Sequence, residues 1–248
     1  MIHINKIGNP PEILSKNSEA WTKELEDYIS TFGGYDKIPD EIKNKMWIHY
    51  RHPDIKKLLF DSSYQKCAFC EAKPAESGNI EVEHFKPKSL YPQLAFCWEN
   101  FLPVCRKCND CKNDFDTGND PIINPVIDNP EDRFTYNSLD IKAIHSEDIV
   151  AERTIEVCNL NSVRLYEARA TLLVSLSSYQ HQVEAWLVEI EEANTPRKKT
   201  NKINKLKDSI EMIEILLRDE EKYAGFCRNF IKDSFVYKKA KELIKGKE

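Results

Sequence analysis

Cys67-Ala-Phe-Cys70, Glu83-His84, Asn100 and Cys105-Arg-Lys-Cys108-Asn109-Asp-Cys-Lys112 together decide how this chain is read. Two CxxC pairs stand 34 residues apart, with an acid–histidine dipeptide between them. A CxxC turn places two sulfurs about 3.5–4 Å apart, on one edge of a tetrahedron around a metal with Zn–S bonds of about 2.3 Å. Cys67, Cys70, Cys105 and Cys108 are therefore the expected ligands of a zinc ion. Four thiolates leave no open coordination position, so this zinc is structural. Cys111 lies near the site, at a spacing that fits the four-ligand pattern less well. Cys97, Cys158 and Cys227 read as small buried residues.

The polar residues between and behind the cysteines form a second set. A neutral imidazole at His84 can take a proton from water attacking a phosphodiester, the role of a general base. Glu83 offers a hard carboxylate oxygen and Asn109 an amide oxygen, which suit one Mg²⁺ or Mn²⁺ ion. Such an ion stabilises the leaving alkoxide and polarises the phosphate. Asn100 either orients His84 or braces the loop before it. Lys112, one helical turn beyond Asn109, reaches a phosphate from the same face, and Lys88 is a second phosphate contact. Glu81 alternates in phase with Glu83 and is a second acid or spare ligand.

Over about fifty residues the pattern resembles the HNH, or ββα-metal, nuclease superfamily: CxxC, an acidic residue and His with Pro87 nearby, Asn, then CxxCNxxK. The resemblance implies His84 as base, Glu83 and Asn109 as metal ligands and Asn100 as the middle motif residue. Glu83 stands where aspartate is common, and Asn109 where the name has its final histidine. Glu83-His-Phe-Lys-Pro-Lys-Ser89, Trp98-Glu-Asn-Phe-Leu-Pro103 and Cys158-Asn-Leu-Asn161 with Arg169 further resemble the PtuB-like family of stand-alone HNH proteins. That family serves Septu anti-phage systems and some retrons. This likeness implies a partner, the ABC/SMC-like ATPase PtuA, which restrains the nuclease or delivers its substrate.

The rest of the chain sets bounds. Its 248 residues, 41% hydrophobic and 10% aromatic, suffice for one large core or two smaller ones. Seven glycines and no GxGxxG or GxxxxGK[ST] pattern argue against a nucleotide loop in this chain, as expected if an ATPase acts in trans. No apolar run approaches a membrane span, and the N-terminus lacks a signal-peptide core. The expected location is the cytoplasm, where cysteines favour metal over disulfides. The net charge of −5 is wrong for an undirected nucleic-acid binder. Lys86, Lys88, Arg106, Lys107 and Lys112 nevertheless cluster at the site. The run Arg197, Lys198, Lys199, Lys202, Lys205 and Lys207 reads as a solvated face.

Three regions are expected: an N-terminal helical scaffold, 1–62; the zinc-bearing module, 63–135; and a helical region, 136–248. A short strand precedes a helix capped by Ser18, carrying Trp21, Leu25, Tyr28, Ile29 and Phe32, and stopped by Gly33-Gly34. Helices follow at 41–50 and 55–60. Ile80–Glu83 and the piece after Trp98 read as strands, and 105–115 as a helix. Residues 121–150 read as loops and short strands. From Ile155 the pattern is helical, and the steps Leu165, Leu172, Leu176, Tyr179, Val183, Trp186, Ile190 and Ile203, Leu206, Ile210, Ile213, Leu217 predict a long antiparallel hairpin turning at Asn194–Pro196. The fold class is mainly α, with a small ββα-metal module stapled by zinc. The expected function is a metal-dependent HNH endonuclease acting on DNA, with RNA, including transfer RNA, open because no residue here reads a 2′-hydroxyl. Two readings compete with it. A non-catalytic zinc ribbon explains the cysteines but leaves Glu83, His84, Asn100 and Asn109 without a purpose. A CxxC redox protein lacks a thioredoxin-like βαβ setting.

Overall fold

The computed structural model describes residues 1–73 and 79–246. Two compact units divide the chain: residues 1–134 with 142–160, and residues 135–141 with 161–248. A short hairpin of β3 (Phe134–Asn137) and β4 (Asp140–Ala143) spans their boundary in sequence.

The first unit opens with an extended segment, not a strand. Ile4 N donates to Pro125 O at 2.8 Å and Ile7 N to Ser62 Oγ at 2.9 Å, the Met1 ammonium pairs with Glu71, and Met1, Ile2 and Ile4 are buried. Helix α1 spans Glu12–Phe32, so Ser18 lies inside it and does not cap it. Pro11 sets the start: its backbone is extended, and Leu14 already lies on the face that buries Leu25. The end is as expected. Gly33 adopts φ 74°, a left-handed conformation glycine enters without steric cost, and its N–H returns to Ile29 O. Helices α2 (Asp40–Tyr50) and α3 (Pro53–Asp61) follow, the latter capped by the His52 ring, which accepts from Asp54 N.

A two-stranded antiparallel sheet comes next, β1 (Ile80–His84) with β2 (Phe101–Cys105), in the register Glu81↔Val104, Val82↔Pro103 and Glu83↔Leu102. Helix α4 (Arg106–Lys112) follows directly. It stops short of Phe115 because Asn113 turns to φ 43°, its N–H closing on Asn109 O at 2.7 Å. This strand–strand–helix unit is too small to bury its own core. Val82 and Phe101 instead join Leu25, Trp47, Tyr50, Ile55, Leu59 and Phe96 in one hydrophobic cluster. The segments 1–62 and 63–135 thus share a core. Helix α5 (Ile149–Val157) starts before Ile155, capped by Asp148, which accepts from Ala151 N.

In the second unit, α6 (Val163–Glu191) and α7 (Pro196–Leu216) form the long hairpin. Leu165, Leu172, Leu176, Val183 and Ile190 bury against it, with Ile203, Leu206, Ile210 and Ile213 on the facing helix. Leu187 is buried, whereas Trp186 is only half-buried beneath the Lys205 ammonium. Thr195 caps α7 by accepting from Lys198 N. Helices α8 (Ala224–Ile231) and α9 (Phe235–Lys245) complete the unit. Asn161 bonds both backbone groups of Ile141, and the buried Arg169 donates to Leu139 O, so these motif residues brace the chain here. No helix among the described residues is long and apolar enough to cross a membrane.

Candidate metal centre and cleft

Four buried cysteines close the base of the strand–strand–helix unit. The Sγ atoms of Cys67, Cys70, Cys105 and Cys108 all lie within 4.8 Å of one another, and Cys70 and Cys105 are 3.8 Å apart. That spacing can hold one tetrahedral ion such as zinc. Cys67 and Cys70 sit in a tight turn that Glu71 closes at φ 63°, its N–H bonding Cys67 O at 2.9 Å. Ala68 N then donates to Pro103 O at 2.8 Å, covering the side of β2 where Pro103 has no N–H. Cys105 precedes α4 and Cys108 lies in its first turn. Cys111 is exposed and Cys158 and Cys227 are buried. Cys97 differs from its expected burial: it is part-exposed and donates to Glu99 Oε2 at 3.1 Å.

A cleft of about 520 Å³ opens over β1, lined by His84, Glu83, Glu81, Asn109, Lys88, Tyr50, Arg51 and Lys56 among others. Two-residue alternation turns Glu81 and Glu83 to one face of β1, and α4 brings Asn109 up beside them. Asn109 Nδ2 donates to Glu81 Oε2 at 2.8 Å, which fixes the amide so that its oxygen points away from that carboxylate.

His84 is 3% exposed. Its ring meets Tyr50 and Phe101 edge to face, at 4.8 and 5.2 Å between centroids. Nε2 lies 2.9 Å from Ala95 O. A carbonyl only accepts, so Nε2 carries the proton and Nδ1 keeps its lone pair. Burial, with Lys88 adding to it, pushes the His84 pKa down to about 3, so the imidazole is neutral.

Asn100 braces the loop through its side chain. It accepts from Lys86 N at 2.8 Å and donates to Lys86 O and Leu94 O at 3.0 and 3.1 Å. That loop carries Ala95, whose carbonyl fixes the His84 ring, so Asn100 acts on the imidazole through the backbone.

Lys112 departs from its expected role. It is 1% exposed, its ammonium turned inward to Glu83. Its Nζ donates to Glu83 Oε1 at 2.7 Å and to His84 O at 3.0 Å. Burial raises the Glu83 pKa, and Lys112 opposes that rise. Removing Lys112 would leave a buried carboxylate without its cation, so Lys112→Met should lose about 3–5 kcal/mol in a urea titration. A phosphate-binding lysine would instead leave stability unchanged and weaken nucleic-acid binding. Of the other cations expected at the site, Arg106 and Lys107 are exposed outside the cleft lining and Lys86 sits over Tyr91. Lys88 remains at the cleft, its Nζ 5.2 Å from the Trp47 ring. Sequence reasoning missed Tyr50, Arg51 and Lys56, because nothing in residues 50–56 marks them as neighbours of a motif thirty residues on.

Septu protein PtuB of Bacillus thuringiensis is 30% identical, over 66% of this chain and 56% of its own length. The chain resembles Septu PtuB. A second PtuB, from Bacillus mycoides (strain KBAB4), is 25% identical over 74% of this chain and 70% of its own length. The chain therefore spans little more than half of the Bacillus thuringiensis PtuB that it matches. No family model matches it.

Proposed function

We propose that the protein is an HNH endonuclease that hydrolyses phosphodiester bonds, in DNA before RNA, as the effector of a cytoplasmic anti-phage system with an ABC/SMC-like ATPase partner, PtuA. One observation carries the chemistry. A neutral imidazole, fixed in one tautomer by Ala95 O, lines the same cleft as the oxygens of Glu81, Glu83 and Asn109.

His84 Nδ1 accepts a proton from water as the water oxygen bonds to phosphorus, and the P–O bond to the leaving alkoxide breaks. The buried ring, held between Tyr50 and Phe101, keeps one orientation and an unprotonated Nδ1. An anionic phosphodiester beside it offsets the nearby lysine charge and strengthens it as a base. The carboxylate of Glu83, set by Lys112, and the amide oxygen of Asn109 form a hard donor set that fits Mg²⁺ or Mn²⁺. Such an ion, when bound, supplies positive charge against the leaving oxygen. Lys88 contacts the backbone phosphate. The four-cysteine zinc site holds β2, α4 and the 67–70 turn in the ββα arrangement that brings these groups together.

The test is nicking of supercoiled plasmid by the purified protein, alone and co-expressed with its ATPase. Nicked and linear products are expected with Mg²⁺ or Mn²⁺ and not with EDTA. Intact plasmid and intact RNA after incubation with the assembled complex would overturn the reading.

A further inference from the structure

One wall of the cleft comes from the N-terminal helices, outside the cysteine-bounded segment. Tyr50 ends α2, Arg51 follows it, and Lys56 lies in α3. The Arg51 guanidinium stands 5.4 Å from the centre of the Tyr50 ring, whose edge-to-face partner is His84. Lys88 stands over Trp47, and Trp47 and Tyr50 are themselves 5.7 Å apart. Two aromatic faces of α2 thus carry two cations at the cleft.

Among the described residues, Arg51, Lys56 and Lys88 form no ion pair. Of the carboxylates in the lining, Glu83 is paired with Lys112 and Asp110 lies 3.9 Å from Arg106, while Glu81, which accepts from the Asn109 amide, and Asp114 keep their charge. Arg51 over Tyr50, Lys88 over Trp47 and Lys56 in the same lining bring three cations to the cleft beside His84, where an anion can meet them.

We infer that Arg51 and Lys56 bind the phosphodiester backbone of the substrate beside the bond that is cut. The N-terminal helices then build part of the substrate site and do more than support it. This rests on the nuclease reading above.

The experiment measures binding of a fluorescent 20-base-pair DNA duplex, and of a single-stranded RNA of equal length, across a salt series. Proteins are wild type, Arg51→Ala, Lys56→Ala, the double variant and Arg51→Lys, each checked by thermal melting. Each alanine variant should melt as wild type, bind about tenfold more weakly and lower the slope of log affinity against log salt by about 1 on the duplex. The double variant should lower it by about 2, while Arg51→Lys restores the slope. Those results support the inference. If wild type binds and the alanine variants keep its affinity and slope, the inference falls and the nuclease reading stands. If wild type binds neither nucleic acid, alone or with its ATPase, the nuclease reading falls with it.

Discussion

His84→Gln folds, keeps its contact with the Ala95 carbonyl and loses cleavage by about 10²–10⁴-fold. Glutamine approaches histidine in volume, and its amide N–H can donate where Nε2–H does. It has no basic nitrogen at the position of Nδ1, so only the proton transfer is removed. His84→Ala is a poorer test. It opens a void between Tyr50 and Phe101 and leaves a buried carbonyl unsatisfied, so stability falls together with activity. A pH series separates the two effects further. The folded-state pKa of His84 lies near 3 against an ordinary value of 6.5, so the unfolded chain binds the proton more readily. Wild-type stability is then full above pH 6.5 and declines as pH falls toward 3, and the glutamine variant lacks that part of the decline. Plasmid cleavage at the wild-type rate by a folded His84→Gln protein would assign the proton transfer to another group.

Removing the metal at the cysteine site has the largest expected effect on structure. One zinc per chain should remain through purification and leave only under strong chelation at acid pH or with a thiol reagent. Zinc binding by four thiolates is worth roughly 10–16 kcal/mol at pH 7 in small zinc modules. In this protein part of that energy would offset the repulsion among four thiolates held within 4.8 Å of one another. The stripped protein should melt about 10 °C or more lower, lose hydrogen-exchange protection across β1 and β2, and stop cutting nucleic acid. Cys105→Ala should do the same, because Cys105 joins the end of β2 to the start of α4. The α6–α7 hairpin contains none of the four ligands and should keep its helical signal. Metal-free protein that melts like the purified form would remove zinc from the account.

The parts legible in advance share one property: each is local. A CxxC turn fixes sulfur spacing within four residues, and β alternation puts Glu81 and Glu83 on one face. Gly33 stops a helix through its own backbone, and the steps of three and four along α6 and α7 mark their buried faces. The misjudged parts depend on what arrives from elsewhere. Ser18 looked like a cap because capping residues also occur inside helices, and only the packing of Leu14 shows that the helix had already begun. Lys112 looked exposed because lysine usually is. It is buried because Glu83, 29 positions away, needs a cation once the strand folds beneath it. Asn100 left two roles open, and the three backbone bonds to Lys86 and Leu94 chose the loop.

Sequence alone, then, determined the four sulfurs, the strand that carries Glu83 and His84, and the helical hairpin that follows, since periodicity and short spacings act along the chain. Tertiary structure decided which nitrogen of His84 is free, which cation neutralises Glu83 and which wall of the cleft carries Arg51 and Lys56. Those choices depend on hydrogen-bond partners, burial and charge supplied by segments distant in the chain, and such terms exist only once the segments have packed together.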